Sequence, residues 1–177
     1  MSNSPELRER LARVRLVALD VDGTLTDGGV RYAGDEELVR FCVRDGQGLV
    51  WLRRELGIHL AWITGRGCPA VERRAKELGV EHLVMRPACK RTALAEVQAA
   101  LGVTPEQTLA MGDDLPDLGL AAGAAVLCAP ADARQEVRER ADLVTRARGG
   151  DGAVREVAEA LLEAQGAWTR LLEQWSE

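Results

Sequence analysis

Asp20 and Asp22 stand two residues apart in the stretch "LVALDVDGTLTDGG", at the end of an otherwise apolar run. Further along, "ITGR" supplies Thr64, Gly65 and Arg66, "MRPACK" ends in Lys90, and "GDDLPD" carries Asp113, Asp114 and Asp117. Carboxylates confined to one small volume push each other's pKa upward, so Asp20, Asp22, Asp113 and one of Asp114 or Asp117 cannot gather as free anions. A hard cation removes the conflict. An oxygen-only donor set without His or Cys selects magnesium, which keeps some of its waters and shares phosphate oxygens. Thr64 then offers a hydroxyl, and Lys90 an ammonium, to a phosphoryl group. The two strand-end carboxylates can divide the work. Asp20 can attack phosphorus in line to form an aspartyl phosphate, while Asp22 protonates the leaving oxygen and later takes a proton from the attacking water. Gly23 lets the backbone pass close to the phosphate. Lys90 stands out further because the chain has 21 Arg and only two Lys, and the other, Lys76, reads as solvated helix surface.

These residues need a scaffold that delivers them to one place. "LVAL" is a continuous apolar strand, and "GVRYAGDEELVRFCVRD" turns around Gly34 and Asp35 as a hairpin over about 29–43. A helix follows from about Asp45 to its stop at Gly57, then the strand "IHLAWIT". The rest alternates: helix "CPAVERRAKELG", strand "EHLVM", helix "KRTALAEVQAALG", strand "QTLAMG", a short helix after Asp114, strand "AAVLC", helix "DARQEVRERA" and strand "DLVT". A C-terminal helical tail spans about 152–177, with Gly166 as its weak point. Buried strands alternating with helices imply an α/β fold, an open Rossmann-like and mostly parallel sheet with helices on both faces. Such sheets bind ligands beyond the carboxyl ends of their strands, where all the residues named above fall.

With 177 residues and no linker or repeat, the chain reads as a single domain over 1–177. Its net charge of −5 argues against nucleic acid or an anionic membrane as partner. No run approaches a membrane span, and "MSNSPELRERLARVR" lacks the apolar core of a secretory signal. Cys42, Cys68, Cys89 and Cys128 form no metal or disulfide framework. Reduced thiols and a cytoplasmic location are expected.

The segments "DVDGTLT", "ITGR", Lys90 and "GDDLPD" resemble the four motifs of the haloacid dehalogenase superfamily of phosphotransferases, over almost the whole chain. The resemblance implies Asp20 as nucleophile, Asp22 as acid/base, and Thr64, Gly65 and Lys90 around the phosphate. It also implies Mg2+ held by Asp20, Asp113 and the backbone carbonyl of Asp22. The cap domain usual in the superfamily is missing, since neither the segment after Asp22 nor that between Thr64 and Lys90 has room for one. "VRDGQGL", "ITGRGCPAVERRAKELGV" and "GGDGAVREV" are similar to capless members that dephosphorylate eight-carbon acidic sugars for lipopolysaccharide synthesis, with nine-carbon sialic-acid-type phosphates as the alternative. By the same resemblance, Arg66 and Arg74 meet the anionic substrate and the chain forms a homotetramer through its hairpins. The C-terminal segment, with Arg155, Trp168 and Trp175, either completes a neighbour's site or packs on its own domain. "MRPACK" departs from such members, which commonly have a Gln-Gly pair near Arg86 and Pro87. A receiver domain of two-component signalling also gathers acids, a Thr and a Lys, but its lysine comes last; here Asp113 follows Lys90.

Overall fold

A computed structural model describes residues 4–176; the sequence readings at Met1–Asn3 and Glu177 lie outside the described residues. Among the described residues, eight α-helices and eight strands follow one another as α1 (Pro5–Ala12), β1 (Leu16–Leu19), β2 (Arg31–Ala33), β3 (Glu36–Leu38), α2 (Val43–Leu56), β4 (His59–Thr64), α3 (Pro69–Leu78), β5 (His82–Met85), α4 (Lys90–Leu101), β6 (Thr108–Met111), α5 (Leu118–Ala121), β7 (Val126–Ala129), α6 (Gln135–Arg138), β8 (Leu143–Val144), α7 (Ala153–Ala164) and α8 (Trp168–Gln174). Six strands form one sheet in the order β5-β4-β1-β6-β7-β8, and each neighbouring pair is parallel. The chain builds outward from β1 on one side through β4 and β5, then returns to the other side through β6. The order therefore reverses beside β1, and a crevice opens there at the carboxyl edge.

β1 shows why four apolar residues suffice. Val17 and Leu19 pack into the layer formed with α1, α2, α3 and α7, while Leu16 and Ala18 pack into the layer formed with α4 and α5. A side chain that alternates between two buried layers needs no polar face, so the strand reads as continuous hydrophobicity. The helices stop where glycine permits it: Gly57, Gly79 and Gly102 cap α2, α3 and α4 in the left-handed conformation.

β2 and β3 form a separate antiparallel hairpin in register Tyr32↔Glu37, inside the expected 29–43. Phe41 stacks on the buried Trp62 of β4 at 6.0 Å and returns the chain to α2. Neither the hairpin nor the single helix α3 between β4 and β5 amounts to a cap.

Three local readings change. Sequence reasoning assigned no element to the N-terminus. Ser4 caps α1 there, and Leu7 and Leu11 bury its inner face. The expected helix over "DARQEVRERA" shrinks to α6, because Arg134 at its cap has ψ 144, outside helical space. The continuous C-terminal helix is instead two, α7 and α8. Gly166 takes φ 72, and Ala167 N–H donates back to Leu162 C=O at 2.8 Å, a hydrogen-bonded stop. The break turns α8 back onto the domain. Trp168 meets Trp51 edge-on at 6.2 Å, and the Arg155 guanidinium lies 3.9 Å over the same Trp51 ring, while Trp175 stays exposed. No helix among the described residues is long and apolar enough to cross a membrane.

Candidate active site

The strand that ends at Leu19 delivers Asp20 with its N–H still bonded to Met111 C=O of β6 at 2.9 Å. Val21 then turns into the core while its carbonyl collects the N–H groups of Thr24, Leu25 and Thr26 at 3.3, 2.9 and 3.1 Å. This knot fixes the loop carrying Asp20 and Asp22. Gly23 has φ +96, and a Cβ there would fall on the Asp113 carboxylate. Glycine is thus required for two reasons, conformation and space. Gly149 and Gly150 of the "GGDG" segment buttress the same loop: Gly150 N–H donates to Thr24 C=O at 3.0 Å, and a Cβ at Gly149 would strike the Gly23 carbonyl. Asp45 holds that segment in turn, accepting from the N–H groups of Gly152 and Arg155 at 3.2 and 2.7 Å.

Asp20, Asp113 and Asp117 each bring one carboxylate oxygen within 4.8 Å of the others. Lys90, the first residue of α4, reaches in to ion-pair with Asp20 and, at 2.6 Å, with Asp117. Burial, then the Asp117 charge, pushes the Asp20 pKa up to about 8 against the pull of Lys90. The same two causes raise Asp113 to about 7. Burial works against the Lys90 ammonium, but Asp20 and Asp117 outweigh it and hold its pKa above the ordinary value. One ammonium does not neutralise three carboxylates, and a cation placed among them would reverse both acidic shifts. The donors are all oxygen, and the Asp22 carbonyl takes part in none of the described hydrogen bonds. The residues present therefore fit a hard divalent cation.

The structure separates the roles of residues that the sequence grouped. Asp22 turns its carboxylate away from the metal-type cluster: Oδ2 accepts the Thr64 hydroxyl at 2.8 Å, and Oδ1 lies 3.8 Å from Arg66 Nε. Thr64 is fully buried, donates to Asp22 and accepts from Arg66 N–H at 3.0 Å. Gly65 and Arg66 line the pocket with Lys90. Arg74 is not brought there. It pairs with Glu77 at 3.3 Å, and its guanidinium occupies the space beside Gly46 of α2. The eight-residue spacing from Arg66 carries it from the active edge into the α2–α3 contact. Sequence reasoning left Asp117 open against Asp114, and the fold separates them. Asp114 caps the 3-10 turn Leu115–Asp117, whereas Asp117 folds back so that Oδ2 accepts from the N–H groups of Asp113 and Asp114 at 3.0 and 3.1 Å. The reciprocal cap three residues apart was the available signal.

The pocket bounded by Asp20, Asp22, Gly65, Arg66, Lys90, Asp113, Asp114 and Asp117 has a volume of about 210 Å³, the scale of a phosphoryl group and a cation rather than a whole sugar. A carboxylate paired with a largely covered lysine, a second carboxylate that accepts a hydroxyl, and an acidic cluster, all at the switch point of a capless parallel sheet, are the arrangement of a haloacid dehalogenase-like hydrolase. The profile of haloacid dehalogenase-like hydrolases matches residues 84–157. The 3-deoxy-D-manno-octulosonate 8-phosphate phosphatase of Salmonella typhimurium is 41% identical over 165 residues, 92% of this chain and 87% of that protein, and this chain belongs to its family. A hypothetical protein from Xanthomonas campestris superposes with a TM-score of 0.94 at 42% identity, covering 100% of this chain and 97% of that one. The Moraxella catarrhalis 3-deoxy-D-manno-octulosonate 8-phosphate phosphatase, solved with a magnesium ion, a phosphate ion and a KDO molecule, gives 0.92 at 38% identity, covering 96% and 98%.

Proposed function

We propose that this chain hydrolyses 3-deoxy-D-manno-octulosonate 8-phosphate to the free sugar acid and phosphate, a step in lipopolysaccharide precursor synthesis. The observation that carries the reading is the pairing of Asp20, against Lys90, with Asp22, against Thr64, on one small pocket in a member of this family. Asp20 attacks phosphorus and the bond to the sugar oxygen breaks, leaving an aspartyl phosphate. Asp22 gives its proton to the departing oxygen, then accepts one from the water that opens the acyl phosphate. The Thr64 hydroxyl orients Asp22 and the Gly65 backbone leaves room for the phosphate. Lys90 keeps Asp20 in place and offsets phosphate charge. Asp20, Asp113 and the Asp22 carbonyl would hold Mg2+, which when bound supplies the positive charge that lets a carboxylate approach a phosphate dianion.

Arg66, at the rim, presents a guanidinium fork to the substrate carboxylate. Tyr32 and Leu38 are exposed on the two short hairpin strands, with Val30 just before them and Val43 at the start of α2 exposed as well, which favours a homotetramer with neighbouring hairpins joined and one neighbour's surface over the open edge. Four free cysteines suit a reducing cytoplasm. Phosphate release from the eight-carbon substrate, run beside a nonulosonate 9-phosphate with and without magnesium, tests the reading. Higher kcat/KM on the nine-carbon acid would move the assignment to that substrate, and metal-independent turnover would overturn the mechanism. Light scattering of a single protomer that is fully active would remove the tetramer.

A further inference from the structure

Arg66 lines the phosphate-sized pocket, and its guanidinium reaches Glu37 on the wall of a second cleft of about 610 Å³, bounded by the hairpin and the start of α3, so that it marks the seam between the two. Its side chain is about half exposed, and a free arginine there would sample many rotamers. Besides Asp22, 3.8 Å from its Nε, Glu37 holds the guanidinium and Arg86 holds the backbone that carries it. From the hairpin, Glu37 Oε1 accepts from Arg66 Nη2 at 3.1 Å, with Tyr32, the cross-strand partner of Glu37, beside the same guanidinium. From the end of β5, Arg86 grips the backbone on either side of Gly65 and Arg66: its N–H donates to Thr64 C=O at 2.8 Å, and its Nη2 donates to Gly67 C=O at 3.1 Å. Met85 fills the space that a Cβ on Gly67 would need.

Arg86 holds this grip at φ 54, the one positive φ outside glycine among the described residues. A long side chain is disfavoured in that conformation, and glycine would be free of the penalty. What arginine supplies and glycine lacks is the bond to Gly67. Glu37 and Arg86 both line the outer cleft and neither lines the phosphate pocket.

We infer that Glu37 and Arg86 are positioning residues that clamp Arg66 across the seam, so that its guanidinium is already aimed at the carboxylate of an acidic sugar phosphate when the phosphate enters. The inference rests on the proposed function. Glu37 occupies one edge of the guanidinium and leaves other N–H groups for the substrate. Ordering the side chain in advance removes a cost that substrate binding would otherwise carry. Only a substrate with a carboxylate benefits, so the clamp acts on selectivity and leaves phosphoryl transfer alone.

The experiment measures kcat and KM for 3-deoxy-D-manno-octulosonate 8-phosphate and for p-nitrophenyl phosphate, which has no carboxylate, in wild type, Glu37→Gln, Arg86→Gly and Arg86→Lys, each also combined with Arg66→Lys. Glu37→Gln and Arg86→Gly each raise KM for the acidic sugar about three- to tenfold, with kcat little changed and p-nitrophenyl phosphate unaffected. Arg86→Lys recovers part of the loss, Arg86→Gly melts no lower than wild type because its backbone is relieved, and the effects vanish in the Arg66→Lys background. Equal KM shifts on both substrates, no shift in either variant, or full additivity with Arg66→Lys overturns the clamp. Glu37→Gln, on an exposed hairpin, keeps the test intact if an Arg86 variant fails to fold. A wild type that shows no preference for the carboxylated substrate overturns the proposed function first, and the clamp with it.

Discussion

Asp117 is the residue on which the geometry of the acidic cluster turns, and replacing it with Asn separates its charge from its shape. One oxygen accepts from Lys90 Nζ at 2.6 Å and the other from the N–H groups of Asp113 and Asp114 at 3.0 and 3.1 Å. Asn has a single acceptor. If it keeps the two backbone donors, its NH2 faces the Lys90 ammonium, donor against donor; if it keeps Lys90, two N–H groups lose their partner. Either way a buried charge-assisted bond is lost, at about 1.5–3 kcal/mol. Asp20 still pairs with Lys90, so the loss stays below the roughly 3–5 kcal/mol expected when a buried ion loses its only partner. Near about 2 kcal/mol, a chain of this size melts roughly 4–8 °C lower. Removing the Asp117 charge also relieves the repulsion that raises Asp20 and Asp113, so both should titrate lower. Thermal melts without metal, steady-state turnover with saturating magnesium, and NMR titration of the carboxyl carbons read the three effects. Turnover should fall about tenfold or more as Lys90 loses half its anchorage. Asp117→Ala, with no acceptor left, should melt below Asp117→Asn. An Asn variant that melts with wild type and turns over at the wild-type rate would refute the positioning role.

Asp20→Asn should abolish turnover while keeping the wild-type far-UV circular dichroism spectrum, since an amide cannot form the phosphoryl enzyme; residual turnover near wild type rules out Asp20 as nucleophile. Gly23→Ala should lose magnesium binding in calorimetric titration, because the added methyl falls on the Asp113 carboxylate and φ +96 disfavours alanine, and unchanged affinity would contradict that geometry. The folded pKa values of Asp20 and Asp113, about 8 and about 7, lie above the unfolded carboxylate value, so the folded state binds more protons in between. Metal-free stability should therefore fall as pH rises from about 4 toward about 8, and magnesium, which needs the deprotonated groups, should raise the melting temperature more at the upper end. A magnesium increment that shrinks with rising pH would contradict the assignment of the cluster.

Much of this protein is written locally. Apolar continuity in "LVAL" and "HLAWIT" marks strands buried on both faces, and Gly57 and Gly79 mark helix ends because few other residues accept the left-handed cap. From alternating strands and helices the sheet follows, and from the sheet follows the edge where Asp20, Thr64, Lys90 and Asp113 must meet. Residue type and spacing suffice for each of these features, since each depends on neighbours within a few positions.

What tertiary structure decided is which group each side chain faces. Both Asp114 and Asp117 are plausible by type, the spacing marks a local cap, and the turn against Lys90 makes Asp117 the one that enters the cluster. Thr64 reads as a phosphate donor by type, and only the tertiary structure sets its hydroxyl against the Asp22 carboxylate. Arg74 shares a helix face with the active edge by spacing, yet Gly46 on α2 leaves a gap that its guanidinium fills. Gly166 is a weak point in any helix, but burial of Ala167 and Leu171 makes it a turn. Glu37 and Arg86 lie 29 and 20 positions from Arg66 and carry no local signal of a shared purpose. Periodicity and caps are settled by the chain within a turn or two; partners of polar side chains are settled by elements that meet only after the sheet has closed around β1.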